Sequence, residues 1–178
     1  MKKVLIVSTS PRVNSNSEAL AAAFAEGAKA AGHDVEQISL RGKTVHFCRG
    51  CFVCQEKLRC VIRDDADEIC QKAWHADVLV FATPIYYYEM SGQLKTLLDR
   101  LNPLFPSDYA FRDVYLLTAA AEEEDQVPRR AVSGLEGWIE CFDRARLAGT
   151  VFMGGVTAAG ENPAHPALEQ AARLGKGI

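Results

Sequence analysis

Short, continuous apolar runs alternate with amphipathic segments along this chain of 178 residues, and this pattern constrains the fold most. Three of the runs, at 4–7, 78–81 and 114–118, lack the polar alternation of a strand that faces water on one side. Such strands are typical of a parallel sheet that is covered by helices on both faces. The alternation of strand and helix segments indicates the same α/β architecture.

The pattern predicts five strands, each followed by a helix, in one domain spanning residues 1–178. The strands are predicted at Lys3–Ser8, Val35–Leu40, Val78–Ala82, Val114–Thr118 and Thr150–Met153. The helices are predicted from Ser17 to Ala31, from Asp64 onward, after Ser91, through Val132–Phe142 and from the Pro163–Pro166 region onward. The second strand carries polar residues, which places it at a sheet edge. These elements favour a flavodoxin-like, doubly wound sheet with strand order 2-1-3-4-5 and helices on both faces.

Charge and hydropathy narrow the range of partners. The net charge is −3 and no cluster of Lys or Arg forms a basic stripe, so we expect no nucleic-acid partner. No apolar stretch approaches the roughly 20 residues that span a membrane. The apolar run after Met1-Lys2-Lys3 stops after four residues, which argues against a signal peptide. We therefore expect a cytoplasmic protein.

A polar loop follows the first strand and spans residues 8–17. Ligands of open parallel sheets bind beyond the strands' carboxyl ends, where the strand order reverses, which in this order lies between strands 1 and 3. Short hydroxyl and amide side chains beside a helix N-terminus suit a phosphate, and Arg12 adds a charge-assisted contact. The predicted phosphate-binding residues are Ser10, Arg12, Ser15, Asn16 and Ser17.

The residues of this loop also match two other motifs in part. Ser15 to Glu18 also fits a capping box, in which Ser15 caps the helix and Glu18 reaches back, although that reading explains neither Arg12 nor the length of the loop. A dinucleotide or nucleoside triphosphate loop is excluded because the segment contains no glycine and no Gly-Lys-Ser/Thr motif.

The loop after the third strand is rich in planar and apolar groups. Pro84 stiffens the turn, and backbone N–H groups near it can meet the polar edge of a flavin, on which tyrosines can stack. At least one tyrosine is expected to pack beneath the following helix instead. The predicted ring-binding residues are Pro84, Ile85, Tyr86, Tyr87 and Tyr88. The phosphate-binding loop and the ring-binding loop, lying side by side, together predict bound flavin mononucleotide (FMN).

Both loops resemble those of the NAD(P)H-dependent FMN reductase family. The resemblance is carried by segments 8–12, 15–17, 83–88 and 90–95 and by Asp99-Arg100, and it covers essentially the whole chain. It implies a flavodoxin-like fold, bound FMN, NADH or NADPH as co-substrate, and a homodimer with flavin sites at its interface. A third flavin loop of the family maps to 118–121, which makes Thr118 and Ala120 candidates, although the glycines often seen there are absent.

Four cysteines, Cys48, Cys51, Cys54 and Cys60, form a compact C-x₂-C-x₂-C-x₅-C run. Structural zinc normally uses two separated pairs of ligands, so the spacing is closer to iron–sulfur ligation. The run resembles the iron–sulfur flavoproteins, a branch of the same family, and implies a [4Fe–4S] cluster held by these four residues. The alternative is a tight loop of reduced thiols beside the flavin. Cys70 and Cys141 are expected to be buried as small hydrophobes.

No acid–base pair or nucleophile constellation is visible, so no catalytic side chain is predicted, as expected when a cofactor carries the chemistry. We expect an oxidoreductase that passes reducing equivalents from NAD(P)H through FMN to an unidentified small-molecule or electron-carrier acceptor. One alternative is an iron–sulfur electron-transfer module fed by a ferredoxin-like donor. Another is a regulatory protein that keeps the fold and binds no flavin. The apolar connection at 102–112 is expected to be covered by a second copy of the chain.

Overall fold

Strands and helices alternate through the computed structural model, which describes residues 1–178. The strands are β1 (Lys3–Ser8), β2 (Asp34–Ser39), β3 (Val78–Tyr86), β4 (Glu89–Met90), β5 (Asp113–Ala119) and β6 (Arg146–Met153). The helices are α1 (Asn16–Ala30), α2 (Val53–Lys57), α3 (Asp65–His75), α4 (Gly92–Arg100), α5 (Arg129–Ile139) and α6 (Pro166–Lys176). A 3₁₀ turn covers Asn102–Leu104. No helix combines the length and apolarity that a membrane crossing requires.

Five parallel strands form the sheet in the order β2-β1-β3-β5-β6, which confirms the predicted flavodoxin-like topology. The polar strand β2 lies at an edge, as its composition indicated. The short strand β4 pairs antiparallel with the end of β3 and lies outside this order. Consequently, the strand order reverses between β1 and β3, and the loops after these two strands lie side by side.

Each face of the sheet carries its own core, which explains the continuous apolar strands. In β1, Val4 and Ile6 pack with residues of α1 and α6, whereas Leu5 and Val7 pack with residues of α3, α4 and α5. All four side chains are at most 3% exposed. Successive residues of a strand point to opposite faces, so a strand covered on both sides needs apolar residues throughout.

Two glycines allow α1 and α6 to pack closely. A Cβ atom on Gly27 would overlap the carbonyl oxygen of Ala172, and one on Gly175 would overlap the carbonyl oxygen of Phe24. The contact between the helices is therefore made backbone against backbone, and it fixes α6 on the face that α1 covers.

The structure extends or corrects several predicted segments. Strand β3 continues to Tyr86, so the ring loop is a hairpin, and the cysteine segment contains the short helix α2. The connection at 102–112 is covered mainly by the chain's own core, contrary to the expectation of a second copy. Leu104, Tyr109 and Phe111 are at most 5% exposed, whereas Phe105 is half exposed.

A buried ion pair joins α4 to the start of α3. Both terminal nitrogens of the Arg100 guanidinium donate to the Asp64 carboxylate, at 2.7 and 2.8 Å, and each side chain is at most 2% exposed. Asp64 also accepts from Ala66 N–H as the N-cap of α3. Burial alone would raise the pKa of Asp64, but hydrogen bonds from Arg100 and His46 hold that pKa well below its usual range.

Loss of the guanidinium should be costly. We expect Arg100→Met to lower the free energy of unfolding by about 3–5 kcal/mol, because it leaves the Asp64 carboxylate buried and unpaired. The matched control on the same helix is Lys95→Met, whose exposed pair with Asp99 should contribute about 0.3–0.5 kcal/mol. Urea unfolding of the variants measures both effects, and equal losses would contradict this account of the pair.

Candidate functional site

A network of buried hydroxyl groups joins the loops that follow β1 and β3. The Thr9 N–H donates to the Ala82 carbonyl at 2.9 Å, and the Thr9 hydroxyl lies 3.0 Å from the hydroxyl of Ser91. The Thr83 hydroxyl lies 3.1 Å from the same Ser91 oxygen, which also caps α4 by accepting from Leu94 N–H. Sequence reasoning did not single out this network, which holds the two loops together.

A cavity of about 400 Å³ opens where these loops meet. That volume lies within the range of small-molecule and cofactor sites. The cavity brings together all the predicted phosphate-loop and ring-loop residues and one candidate of the third loop. Its lining comprises Ser10, Arg12, Ser15, Asn16, Ser17, Pro84, Ile85, Tyr86, Tyr87, Tyr88, Ala119, Ala120, Ala121, Glu122, Val156, Thr157 and Ala159.

The start of α1 combines a cap with free donors. Ser15 caps the helix by accepting from Glu18 N–H, as the capping-box reading predicted. Glu18 does not complete the box, because its carboxylate accepts from Arg41 instead. The backbone N–H groups of Asn16 and Ser17 have no partner in the chain. Unpaired N–H groups at the positive end of a helix dipole suit an anion.

The loop between β6 and α6 returns to the phosphate loop and closes one side of the cavity. The guanidinium of Arg12 donates to the Thr157 carbonyl at 2.6 Å. The Asn16 side chain donates to the Ala158 carbonyl and accepts from Gly160 N–H, at 2.9 and 3.1 Å. The Asn16 side chain therefore joins the two loops by hydrogen bonds. Its contact with a cofactor stays a prediction.

The segment after β5 supplies part of the third wall. Ala120 lines the cavity, and its backbone is held by hydrogen bonds to Met153 and Val156. Thr118 does not line the cavity, because its hydroxyl is buried and donates to the Val151 carbonyl of β6. Glu122, the first residue of the acidic run 122–125, also lines the cavity. Glu122 and Arg12 are the cavity's two charged side chains.

The ring loop is a tight hairpin with an unusual turn. Tyr86 pairs with Glu89, and the two residues between them, Tyr87 and Tyr88, have φ values of 51° and 64°. Two consecutive positive φ angles define a type I′ turn, which normally requires Asn or Gly. The tyrosines are 41%, 98% and 50% exposed, so the expectation that one packs beneath the next helix was wrong.

A second cavity, of about 410 Å³, is walled by the cysteine segment and by residues near the ends of α4 and α5. All four predicted ligands line it, with Cys54 buried, Cys60 partly buried and Cys48 and Cys51 exposed. Its lining comprises Cys48, Arg49, Gly50, Cys51, Phe52, Cys54, Cys60, Val61, Ile62, Leu98, Asp99, Asn102, Phe105, Trp138, Cys141 and Phe142. No three His, Cys, Asp or Glu side chains are grouped closely enough to hold a single metal ion.

The two remaining cysteines differ from each other. Cys70 is buried in the core, as predicted, and burial raises the pKa of its thiol to about 12. Cys141 is exposed and lies just beyond α5, where it lines the cysteine cavity, so the prediction that it is buried was wrong. The apolar stripe of α5 is buried, but the helix ends at Ile139, before Cys141.

Comparison with known proteins gives a family and two relatives. The sequence profile of NADPH-dependent FMN reductase matches residues 2–155. An iron–sulfur flavoprotein of Methanocaldococcus jannaschii is 39% identical over 57% of this chain and 53% of its own length. One of Methanosarcina thermophila is 28% identical over 87% of this chain and 82% of its own length. The chain thus spans about half the length of the first relative.

Among solved structures, the chain is similar to an NAD(P)H:quinone oxidoreductase from Methanothermobacter marburgensis. The TM-score is 0.73 with 19% sequence identity, over 98% of this chain and 96% of that one. A likeness at this identity supports the fold alone.

The type I′ turn yields a test of local strain. We expect the double substitution Tyr87→Asn with Tyr88→Gly to raise the free energy of unfolding by about 1–2 kcal/mol, because left-handed backbone is costly for tyrosine. Tyr86→Asn is the matched control, since Tyr86 has a negative φ. Urea unfolding provides the measurement. A double variant that is less stable than the parent would contradict the inference that Tyr87 and Tyr88 are strained.

Proposed function

The chain belongs to the NADPH-dependent FMN reductase family, and from this premise we propose that it passes reducing equivalents from NADH or NADPH through bound FMN to a second acceptor. The supporting observation is the cavity at the point where the strand order reverses. It joins a helix N-terminus with free N–H groups to a wall of planar and apolar side chains. That combination suits a molecule with a phosphate at one end and a flat ring at the other.

In this proposal the phosphate lies at the start of α1. The N–H groups of Asn16 and Ser17 donate to it, and the hydroxyls of Ser10, Ser15 and Ser17 line the same pocket. One guanidinium nitrogen of Arg12 is used by Thr157, and the others have no partner in the chain. They are free to make a charge-assisted contact with a phosphate oxygen.

The ring lies against Pro84, Ile85 and the tyrosine hairpin, facing the segment that contains Ala120. Bound FMN would supply the redox chemistry, namely acceptance of a hydride and its release as electrons. The chain's own residues bind and orient the ring and keep water from its covered face.

A second candidate function, an iron–sulfur electron-transfer module fed by a ferredoxin-like donor, is favoured by the cysteine cavity. The four thiols of the compact run line one volume, whereas a single-ion site would bring them to a point. Each thiolate of a [4Fe–4S] cluster binds its own iron, so surrounding a volume is the arrangement required. Such a cluster, held by Cys48, Cys51, Cys54 and Cys60, would supply one-electron chemistry. Two relatives named iron–sulfur flavoproteins support this candidate.

We also propose a homodimer, as the family resemblance implies. Exposed aromatic side chains border both cavities: Tyr87 and Tyr88 beside the first, and Phe52 and Phe105 beside the second. Apolar surface of this kind is often covered by another chain.

The first proposal is tested by reducing the FMN-loaded protein anaerobically. We expect NADH or NADPH to abolish the visible flavin absorbance, because a hydride donor reduces the ring directly. Dithionite is the positive control. Reduction by dithionite but by neither nicotinamide would contradict the proposal, and reduction by a reduced ferredoxin alone would favour the second candidate.

The phosphate assignment is tested by comparing two flavins. We expect Arg12→Met to weaken FMN binding about 10- to 100-fold, as for the loss of a charged hydrogen bond. Riboflavin, which lacks the phosphate, should bind the variant and the parent equally. Lys29→Met, an exposed change elsewhere on α1, should alter neither affinity. Fluorescence titration measures both flavins, and an equal loss for both would show that Arg12 does not contact the phosphate.

The cluster is tested by iron and sulfide analysis after anaerobic purification. We expect about four irons and four sulfides per chain. Cys54→Ser should lose them, whereas Cys141→Ser, a thiol of the same cavity outside the compact run, should retain them. An iron-free parent protein would exclude the second candidate and leave the first unaffected.

A further inference from the structure

Nitrogen donors lie near three of the four cysteines of the compact run, Cys48, Cys54 and Cys60. The Gly50 N–H donates to Cys48 Sγ at 3.4 Å, within the cysteine segment itself. The Asn102 side-chain amide donates to Cys54 Sγ at 3.1 Å, from the far wall of the cavity. A thiolate bound to iron can only accept hydrogen bonds, so donors at these positions are of the kind that cluster sulfur ligands use.

The third donor is Arg100. Its terminal nitrogens are fully used by Asp64 and by the carbonyls of His46 and Ile62, but its buried Nε has no hydrogen-bond partner. The Arg100 guanidinium donates to the Ile62 carbonyl at 3.0 Å, two residues beyond Cys60, so its charge lies near the Cys60 side of the segment. The orphaned N–H and the positive charge are therefore available to the Cys60 sulfur.

Arg100 and Asn102 belong to one continuous segment, the end of α4 and the turn after it, and Asn102 lines the cavity. Arg100 is the last residue of α4, and Asn102 opens the 3₁₀ turn that follows. Arg100 also fixes the cysteine segment at both ends, because its carbonyl partners precede Cys48 and follow Cys60. The donors are thus held in place before any group binds, and Cys54 is buried, where hydrogen bonds are electrostatically stronger.

Hydrogen bonds to the sulfurs and nearby positive charge are among the factors that set the potential of an iron–sulfur cluster. Reduction adds negative charge, so donors and cations stabilise the reduced form more than the oxidised form. We propose that Asn102 and Arg100 are positioning residues that raise the reduction potential of the cluster held by Cys54 and Cys60. This inference rests on the second candidate function.

The test uses the anaerobically purified holoprotein and varies Asn102, which is less buried than Arg100. Asn102→Leu removes the donor, and Asn102→Asp replaces it with a negative oxygen of nearly the same shape. Midpoint potentials are measured by redox titration, with the EPR signal of the reduced cluster as the readout. We expect the highest potential in the parent, a lower one in the Leu variant and the lowest in the Asp variant. Gln93→Leu, which removes an exposed side-chain amide near the start of α4 outside the cavity, should leave the potential unchanged.

Iron and sulfide contents are measured on the same samples. If the parent and both Asn102 variants contain the full complement of iron and have the same midpoint potential, the inference is overturned and the cluster proposal stands. Iron lost only from the Asn102 variants would also overturn it, because the side chain would then be needed for assembly. A parent protein without iron would overturn the inference and the second candidate together. A purely structural role for Asn102 predicts no ordered fall from Leu to Asp.

Discussion

The buried pair of Arg100 and Asp64 is the interaction on which the arrangement beside the sheet depends. Its two members come from different elements, the end of α4 and the cap of α3, so it fixes how these helices meet. The same guanidinium binds the carbonyls of His46 and Ile62 and thereby closes the base of the cysteine segment. A buried ion pair often adds little net stability, but breaking one is costly, which favours a single arrangement of the elements it joins.

Helix α4 relates the two cavities. Its N-cap is Ser91, whose hydroxyl forms hydrogen bonds with the hydroxyls of Thr9 and Thr83 in the loops around the first cavity. It ends at Arg100, beside the cysteine cavity. At 1.5 Å per residue, its nine residues span about 14 Å. One short, rigid element thus links the placement of both sites.

Much of the fold and the first cavity could be predicted from the sequence because both depend on local patterns. Continuous apolar runs indicated buried strands, and polar residues directly after the first strand indicated the phosphate loop. The loop that carries Thr157 was missed because its role arises only where the chain returns to α1. The tyrosine hairpin was missed because Tyr87 and Tyr88 are poor formers of the turn that they adopt. Cys141 was misplaced because α5 ends before it.

The cysteine segment shows why spacing alone left its role open. The spacing of the cysteines shows how close the thiols are along the chain. The polar groups around the thiols, however, belong to α4 and the turn after it. The amide of Asn102 and the unpaired Nε of Arg100 lie about 40 residues or more from the cysteines they face. A loop of reduced thiols needs no such donors, whereas thiolates bound to iron are stabilised by them. The proposed ligation therefore depends on donors that the spacing of the cysteines could not reveal.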